Sequence, residues 1–179
     1  MTIGYFTNWA QYRPSPHNFK VPDIDPTGLT HAVFAFAKMT PAWELEPFEW
    51  NDVVEWNPSS GAYYQFNHDL KVANPALKTL LAIGGWNFNS PSSGTAHLFS
   101  TMVASAAARS TFVDSTISFL REHGFDGLDL DWEYPSFAPQ GGQPEDKENY
   151  LLLVQDLAAA FHAEAAATGN DRLLLSMAV

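Results

Sequence analysis

The tightest constraint on this chain is the run at residues 125–135, Phe-Asp-Gly-Leu-Asp-Leu-Asp-Trp-Glu-Tyr-Pro. It sets four carboxylates, Asp126, Asp129, Asp131 and Glu133, among apolar residues. The run is too short for an ordinary helix, and Leu128, Leu130 and Trp132 suit a buried strand. Side chains alternate faces along a strand. Asp129, Asp131 and Glu133 therefore share one face, with neighbours roughly 6–7 Å apart. Like charges this close in a low-dielectric setting do not all ionise, so at least one is expected to hold a proton near neutrality. A protonated carboxyl beside a charged one is the pairing that acid–base catalysis uses. A solvated acidic strand end would not carry Leu-x-Leu-x-Trp on its back. A calcium loop would follow another spacing, with its own glycine and a glutamate at its twelfth position. Asp126 has the opposite parity and reads as structural, bonding backbone at the strand start.

Around this run the chain alternates strand and helix. Residues 3–9, 30–39, 77–83 and 172–179 read as further strands. The second is almost continuously apolar, as a strand buried on both faces requires. Helical spacing marks residues 63–73 and 104–123. It also marks 144–168, with Tyr150, Leu151, Val154, Ala158, Phe161 and Ala165 expected on one side. Residues 40–60 read as a long irregular loop of the kind that carries function. Trp43 and Trp56 are expected to pack that loop onto the body. Gly84 and Gly85 close the third strand and let another backbone or a ligand approach.

Such alternation implies parallel strands joined by right-handed crossovers. The carboxylates then sit at the C-terminal end of the fourth strand, where (β/α)8 barrels keep their active sites. A complete barrel takes about 250 residues, and this chain has 179. The expected fold class is therefore α/β, a partial (β/α)8 TIM barrel with about the first five strands and four crossovers. Residues 1–179 would form a single incomplete catalytic domain. Its two open sheet edges would invite pairing, so further chain or self-association is expected to supply the missing half.

Composition narrows the partners. Nine Lys and Arg against twenty Asp and Glu give a net charge of −11. That balance argues against nucleic acid or an anionic membrane surface. No apolar run is long enough to span a bilayer. With no cysteine, disulfides and cysteine-rich zinc sites are excluded, and no cofactor is expected. Six Trp, six Tyr and thirteen Phe fill a core first, and any surplus Trp near a cleft would also suit stacking on sugar rings through their apolar faces. Residues 1–3 run straight into the first strand, with no basic, apolar leader of signal length.

The acidic run also resembles the signature of glycoside hydrolase family 18, the chitinases, written Asp-x-x-Asp-x-Asp-x-Glu. Asp126, Asp129, Asp131 and Glu133 match it completely. Further stretches resemble the animal-type enzymes in the expected order: Gly4-Tyr-Phe-Thr-Asn-Trp9, Ala35-Phe-Ala37, Glu49-Trp50-Asn51-Asp52 and Leu81-Ala-Ile-Gly-Gly-Trp-Asn87. The resemblance implies a retaining chitinase whose nucleophile is the substrate's own N-acetyl oxygen. It implies Glu133 as general acid and base, Asp131 as holder of the N-acetyl group, and Asp129 as its proton-sharing neighbour. Tyr134, Tyr5, Phe36, Trp86, Gly84, Gly85 and Asn87 would shape the sugar site. Trp9, Glu49 and Trp50 would meet more distant rings. It further implies chitin or chito-oligosaccharides as partner, an extracellular location, and cis peptides after Ala35 and Glu133. A catalytically silent chitin-binding lectin of the same family, or an inactive fragment of an enzyme, is the alternative.

Overall fold

In a computed structural model, residues 1–178 are described; Val179, the end of the expected fifth strand, lies outside them. Six strands form one sheet: β1 (Ile3–Thr7), β2 (His31–Met39), β3 (Leu45–Pro47), β4 (Lys78–Gly84), β5 (Gly127–Asp131) and β6 (Leu174–Met177). Five run parallel in the order β1-β2-β4-β5-β6. Sheet order thus follows chain order, as in the opening strands of a closed barrel, and β1 and β6 are its two edges.

Helices cover one face. A first helical stretch is made of α1 (Ala62–Tyr64), a π turn (Gln65–Asp69) and α2 (Leu70–Ala73). Then come α3 (Leu98–Val103), α4 (Ala106–His123) and α5 (Asp146–Thr168). Strand residues pointing to this side, among them Phe34, Leu81, Ile83, Leu128 and Leu130, bury against Phe66, Phe112, Leu120, Leu153 and Phe161. The opposite, concave face carries a small apolar cluster of Val33, Ala35, Leu80 and Ala82. This two-sided burial explains why the strands read as unbroken apolar runs. It also leaves Asp129 and Asp131 on the concave side, because their parity is opposite to that of Leu128 and Leu130.

The structure corrects the sequence reading in five places. The first strand stops at Thr7, and Asn8–Tyr12, with Trp9, form a 3-10 turn. The long loop after β2 contains β3, which returns antiparallel on β2 with Leu45 buried. The first helix is widened by the π turn. There the Asn67 amide donates to the carbonyls of Tyr63 at 3.0 Å and His123 at 2.9 Å, a side chain competing for helical backbone. The helix expected at 104–123 is present as α4, but it starts at Ala106, where the Ser105 hydroxyl caps it by accepting from the Ala108 amide, and a separate short helix, α3, precedes it. Finally, α5 buries Leu153, Leu157 and Phe161 and leaves Leu151 and Ala158 exposed. At about 100° per residue, Leu151 lies about 200° around the helix from Leu153.

Asp126 fills the structural role expected of it. It accepts from the Thr79 amide at 2.7 Å and pairs with Lys71 at 2.8 Å. Burial opposes its charge, but Lys71, the Thr79 amide and Lys78 hold its carboxyl below the usual carboxylate range. The bonds join the start of β4 to the turn before β5.

Candidate active site

β5 delivers Asp129 and Asp131, and Glu133 follows just past the strand end. Asp129 is 1% exposed. Its Oδ2 accepts from the Tyr5 hydroxyl at 2.9 Å and its Oδ1 from the Ser176 hydroxyl. Ser176 is its register partner on β6. Tyr5 stands on β1, so its phenol reaches across the concave face over β2 and β4. Asp131 stands between two acids, and burial, then Glu133 and Asp129, push its carboxyl up to about 6. The proton expected somewhere in the row is thus drawn toward Asp131. Asp129 acts on Asp131 through its charge, since its own oxygens are engaged by the two hydroxyls.

The glycines after β4 make room for this row. A β-carbon on Gly84 would lie 2.2 Å from the Asp131 carbonyl oxygen, and one on Gly85 would lie 2.7 Å from the Phe36 ring. The Gly85 amide donates to that same Asp131 carbonyl at 2.7 Å. The peptides Ala35–Phe36 and Glu133–Tyr134 are both cis, as the resemblance implied. The Glu133 amide reaches the Asn89 side-chain oxygen at 3.4 Å. A hydrogen bond to the Glu133 carboxylate raises the Tyr134 phenol above its usual pKa.

A cavity of about 260 Å³ opens beside Glu133 and is lined by Trp9, Phe36, Gly84, Trp86 and Asn87. Trp9 stacks on Phe36 with ring centroids 5.8 Å apart and planes 14° apart. Trp9, Trp86 and Tyr134 are each about half exposed, so apolar ring faces meet solvent next to polar groups. Six of the sequence-derived residues therefore converge here. Tyr5 does not line this cavity. It borders a second one, of about 300 Å³, with Asp129, Leu80, Leu174 and Ser176. Glu49 and Trp50 also lie outside, on the rim. The Tyr12 hydroxyl donates to Glu49 at 2.6 Å, and Trp50 is 74% exposed.

Some participants were missed from the sequence. Ser176 left one signal, a hydroxyl inside an otherwise apolar strand. Phe48 and Phe88 line the cavity without any motif to mark them, and Asn8, also in its lining, lies inside the Gly4–Trp9 stretch but was not singled out there. Asp52, fully buried, accepts from the amides of Phe48 at 3.1 Å and Glu49 at 2.8 Å and anchors the rim. Trp43 packs against the core as expected. Trp56 does not: it is 83% exposed, because Val53 and Val54 of its loop turn inward instead. Among the described residues no three acidic or histidine side chains gather as a metal site.

A parallel strand–helix sheet with carboxylates ranked at its C-terminal end defines part of a (β/α)8 barrel of the glycoside hydrolase kind. Comparison with known proteins takes this further. The family model for glycosyl hydrolases family 18 matches residues 1–179, and the chain belongs to that family. It is 47% identical to mouse (Mus musculus) chitotriosidase-1 over 177 residues, which are 99% of this chain and 34% of that protein. Among solved structures it is similar to an immunomodulatory active chitinase from Trichuris suis, at 39% identity and a TM-score of 0.83, covering 98% of this chain and 43% of that one. It is also similar to human YKL-39, described as a pseudo-chitinase with retained chitooligosaccharide binding. There the identity is 33% and the TM-score 0.81, over 99% of this chain and 43% of that one. The chain thus spans between a third and a half of the length of these relatives.

Proposed function

We propose that residues 1–179 are the catalytic part of a chitinase, one incomplete barrel domain that hydrolyses β-1,4 linkages between N-acetylglucosamine units with retention. The observation that carries this is the ordered row Asp129, Asp131, Glu133, capped by Tyr5 and Ser176 at its buried end and opening on an aromatic cavity at the other. Glu133, at the open end, gives its proton to the glycosidic oxygen as the C1–O bond breaks. The carbonyl oxygen of the substrate's own N-acetyl group bonds to C1 and forms a cyclic oxazolinium. Asp131 holds the N–H of that group and its charge offsets the developing cation. Water, losing a proton to Glu133, then attacks C1 and reopens the ring. The two inversions leave the original configuration.

The partners follow from the same reading: chitin or chito-oligosaccharides, met outside the cell. Further chain, or a second copy, completes the barrel. Among the described residues no helix is long and apolar enough to cross a membrane. The likeness to YKL-39, with its retained sugar binding, favours a second reading as a sugar-binding protein without turnover. Hydrolysis of soluble N-acetylglucosamine oligomers by the native protein and by Glu133→Gln separates the two. Turnover that falls at least about a hundredfold in the variant supports the enzyme. Binding without turnover in both proteins supports the lectin.

A further inference from the structure

The rim that carries Trp50 continues into a loop built to present a second tryptophan. The Ala62 amide donates to the Asn51 carbonyl at 2.9 Å and the Tyr63 amide to the Asp52 carbonyl at 3.0 Å. These bonds bring the two ends of residues 53–61 together just after Trp50. Asp52 pins the closure from beneath through the Phe48 and Glu49 amides, and Val54 is buried under the loop. At the far end the Asn57 amide donates to the Val54 carbonyl at 3.1 Å, and the Ser60 hydroxyl to the Asn57 carbonyl at 2.8 Å. The loop is thus held by its own bonds, while its largest apolar side chain, Trp56, is 83% exposed.

Topology puts this tip at the catalytic end of the sheet. The loop precedes the helical stretch that runs back toward the start of β4, so it lies on the same side as Glu133. It is also tied to the turn that bears Trp9, since the Asn51 amide donates to Gln11 at 2.8 Å and the Tyr12 hydroxyl to Glu49 at 2.6 Å. Exposed indoles therefore stand on linked supports: Trp86 and Trp9 at the cavity, Trp50 and Trp56 on the loop bonded to the turn of Trp9. An indole held open on a fixed loop presents a flat apolar face at little ordering cost.

We propose that Trp56 is a stacking platform for a polymer of N-acetylglucosamine that extends past the rim at Trp50. The inference rests on the reading of the cleft as a chito-oligosaccharide site and adds a contact that only a long or insoluble chain can reach. The occupant is the polysaccharide, because the loop is continuous with the cleft and polar side chains flank the indole. Glu55, Asn57 and Ser59 offer carboxylate, amide and hydroxyl groups to sugar hydroxyls.

The test measures, for the native protein, Trp56→Ala and Trp56→Phe, affinity for colloidal chitin and for the N-acetylglucosamine tetramer. The expected result is a ratio of polymer to tetramer affinity that falls roughly three- to tenfold in the Ala variant and is kept by Phe. An unchanged ratio in Trp56→Ala overturns the proposal, as does an equal loss for tetramer and polymer. A native self-association that Trp56→Ala abolishes would give the indole to a second copy and overturn it too. A native protein that binds neither ligand would instead sink the reading of the cleft itself.

Discussion

Replacing Asp52 by Asn keeps an oxygen to accept the Phe48 and Glu49 amides but removes the proton equilibrium at the base of the rim. Burial pushes the Asp52 carboxyl from its ordinary 3.8 up to about 7, helped by the charge of Glu49 and opposed by the two amide bonds. The sign follows from linkage. Below pH 3.8 the folded and unfolded chains both hold the proton, and Asp52 adds no pH dependence. Between 3.8 and about 7 the unfolded chain releases it while the folded one retains it, so stability falls as pH rises. Above about 7 the full penalty applies. At about 1.4 kcal/mol per pH unit, the ceiling is about 4 kcal/mol. Urea unfolding of the native protein and Asp52→Asn at pH 4 and pH 8 measures it. Other titrating groups are common to both proteins and cancel in the comparison. With an m-value of about 2–3 kcal/mol per molar urea, the native midpoint is expected to drop by up to about 1–2 M more than the variant's. Parallel pH dependences would mean that Asp52 is already charged in the folded protein at low pH, and would refute the argument.

Two more substitutions probe the acidic row. Tyr5→Phe and Ser176→Ala each remove one hydroxyl donor to Asp129. Leaving a buried acceptor without its donor costs about 1–3 kcal/mol, so each variant is expected to lose stability of about that size and the double variant more. Thermal unfolding of each variant against the native protein measures this, and native-like stability in all three would mean that the two hydroxyls do not hold Asp129. Gly84→Ala drives a methyl group into the Asp131 carbonyl at a backbone φ of 114°. A loss of at least about 3 kcal/mol of stability is expected from clash and strain together, read by thermal unfolding. An Ala variant of near-native stability would mean that the β4 end moves aside freely.

The expected topology and the acidic row were legible because each depends on local periodicity. Alternation along 127–131 puts Asp129 and Asp131 on one face, and the opposite parity of Asp126 separates it from them. The five parallel strands follow from apolar runs of strand length divided by helical ones. The Gly84-Gly85 pair marked a close approach in the sequence, although what approaches, the Asp131 carbonyl and the Phe36 ring, is visible only in the fold. Periodicity failed where one local choice competes with another. The Asn67 side chain takes a helical carbonyl, the Ser105 hydroxyl fixes where α4 starts, and the inward face of α5 is chosen by what it packs on.

Sequence by itself determined the ingredients and their order: the acids, their spacing, the strand that carries them and the helix after each turn. Tertiary structure alone decided who meets them. Tyr5 reaches Asp129 across 124 positions of the chain and Ser176 across 47. Asp52 lost its access to water only in the folded chain, where it is fully buried, and with that loss its proton affinity rose. Trp56, apolar by composition, stayed in solvent because Val53 and Val54 took the inward positions of the same loop. The physical reason is common to all three. Parity and propensity are properties of neighbours in the chain, whereas burial, charge coupling and exposure are set by neighbours in space.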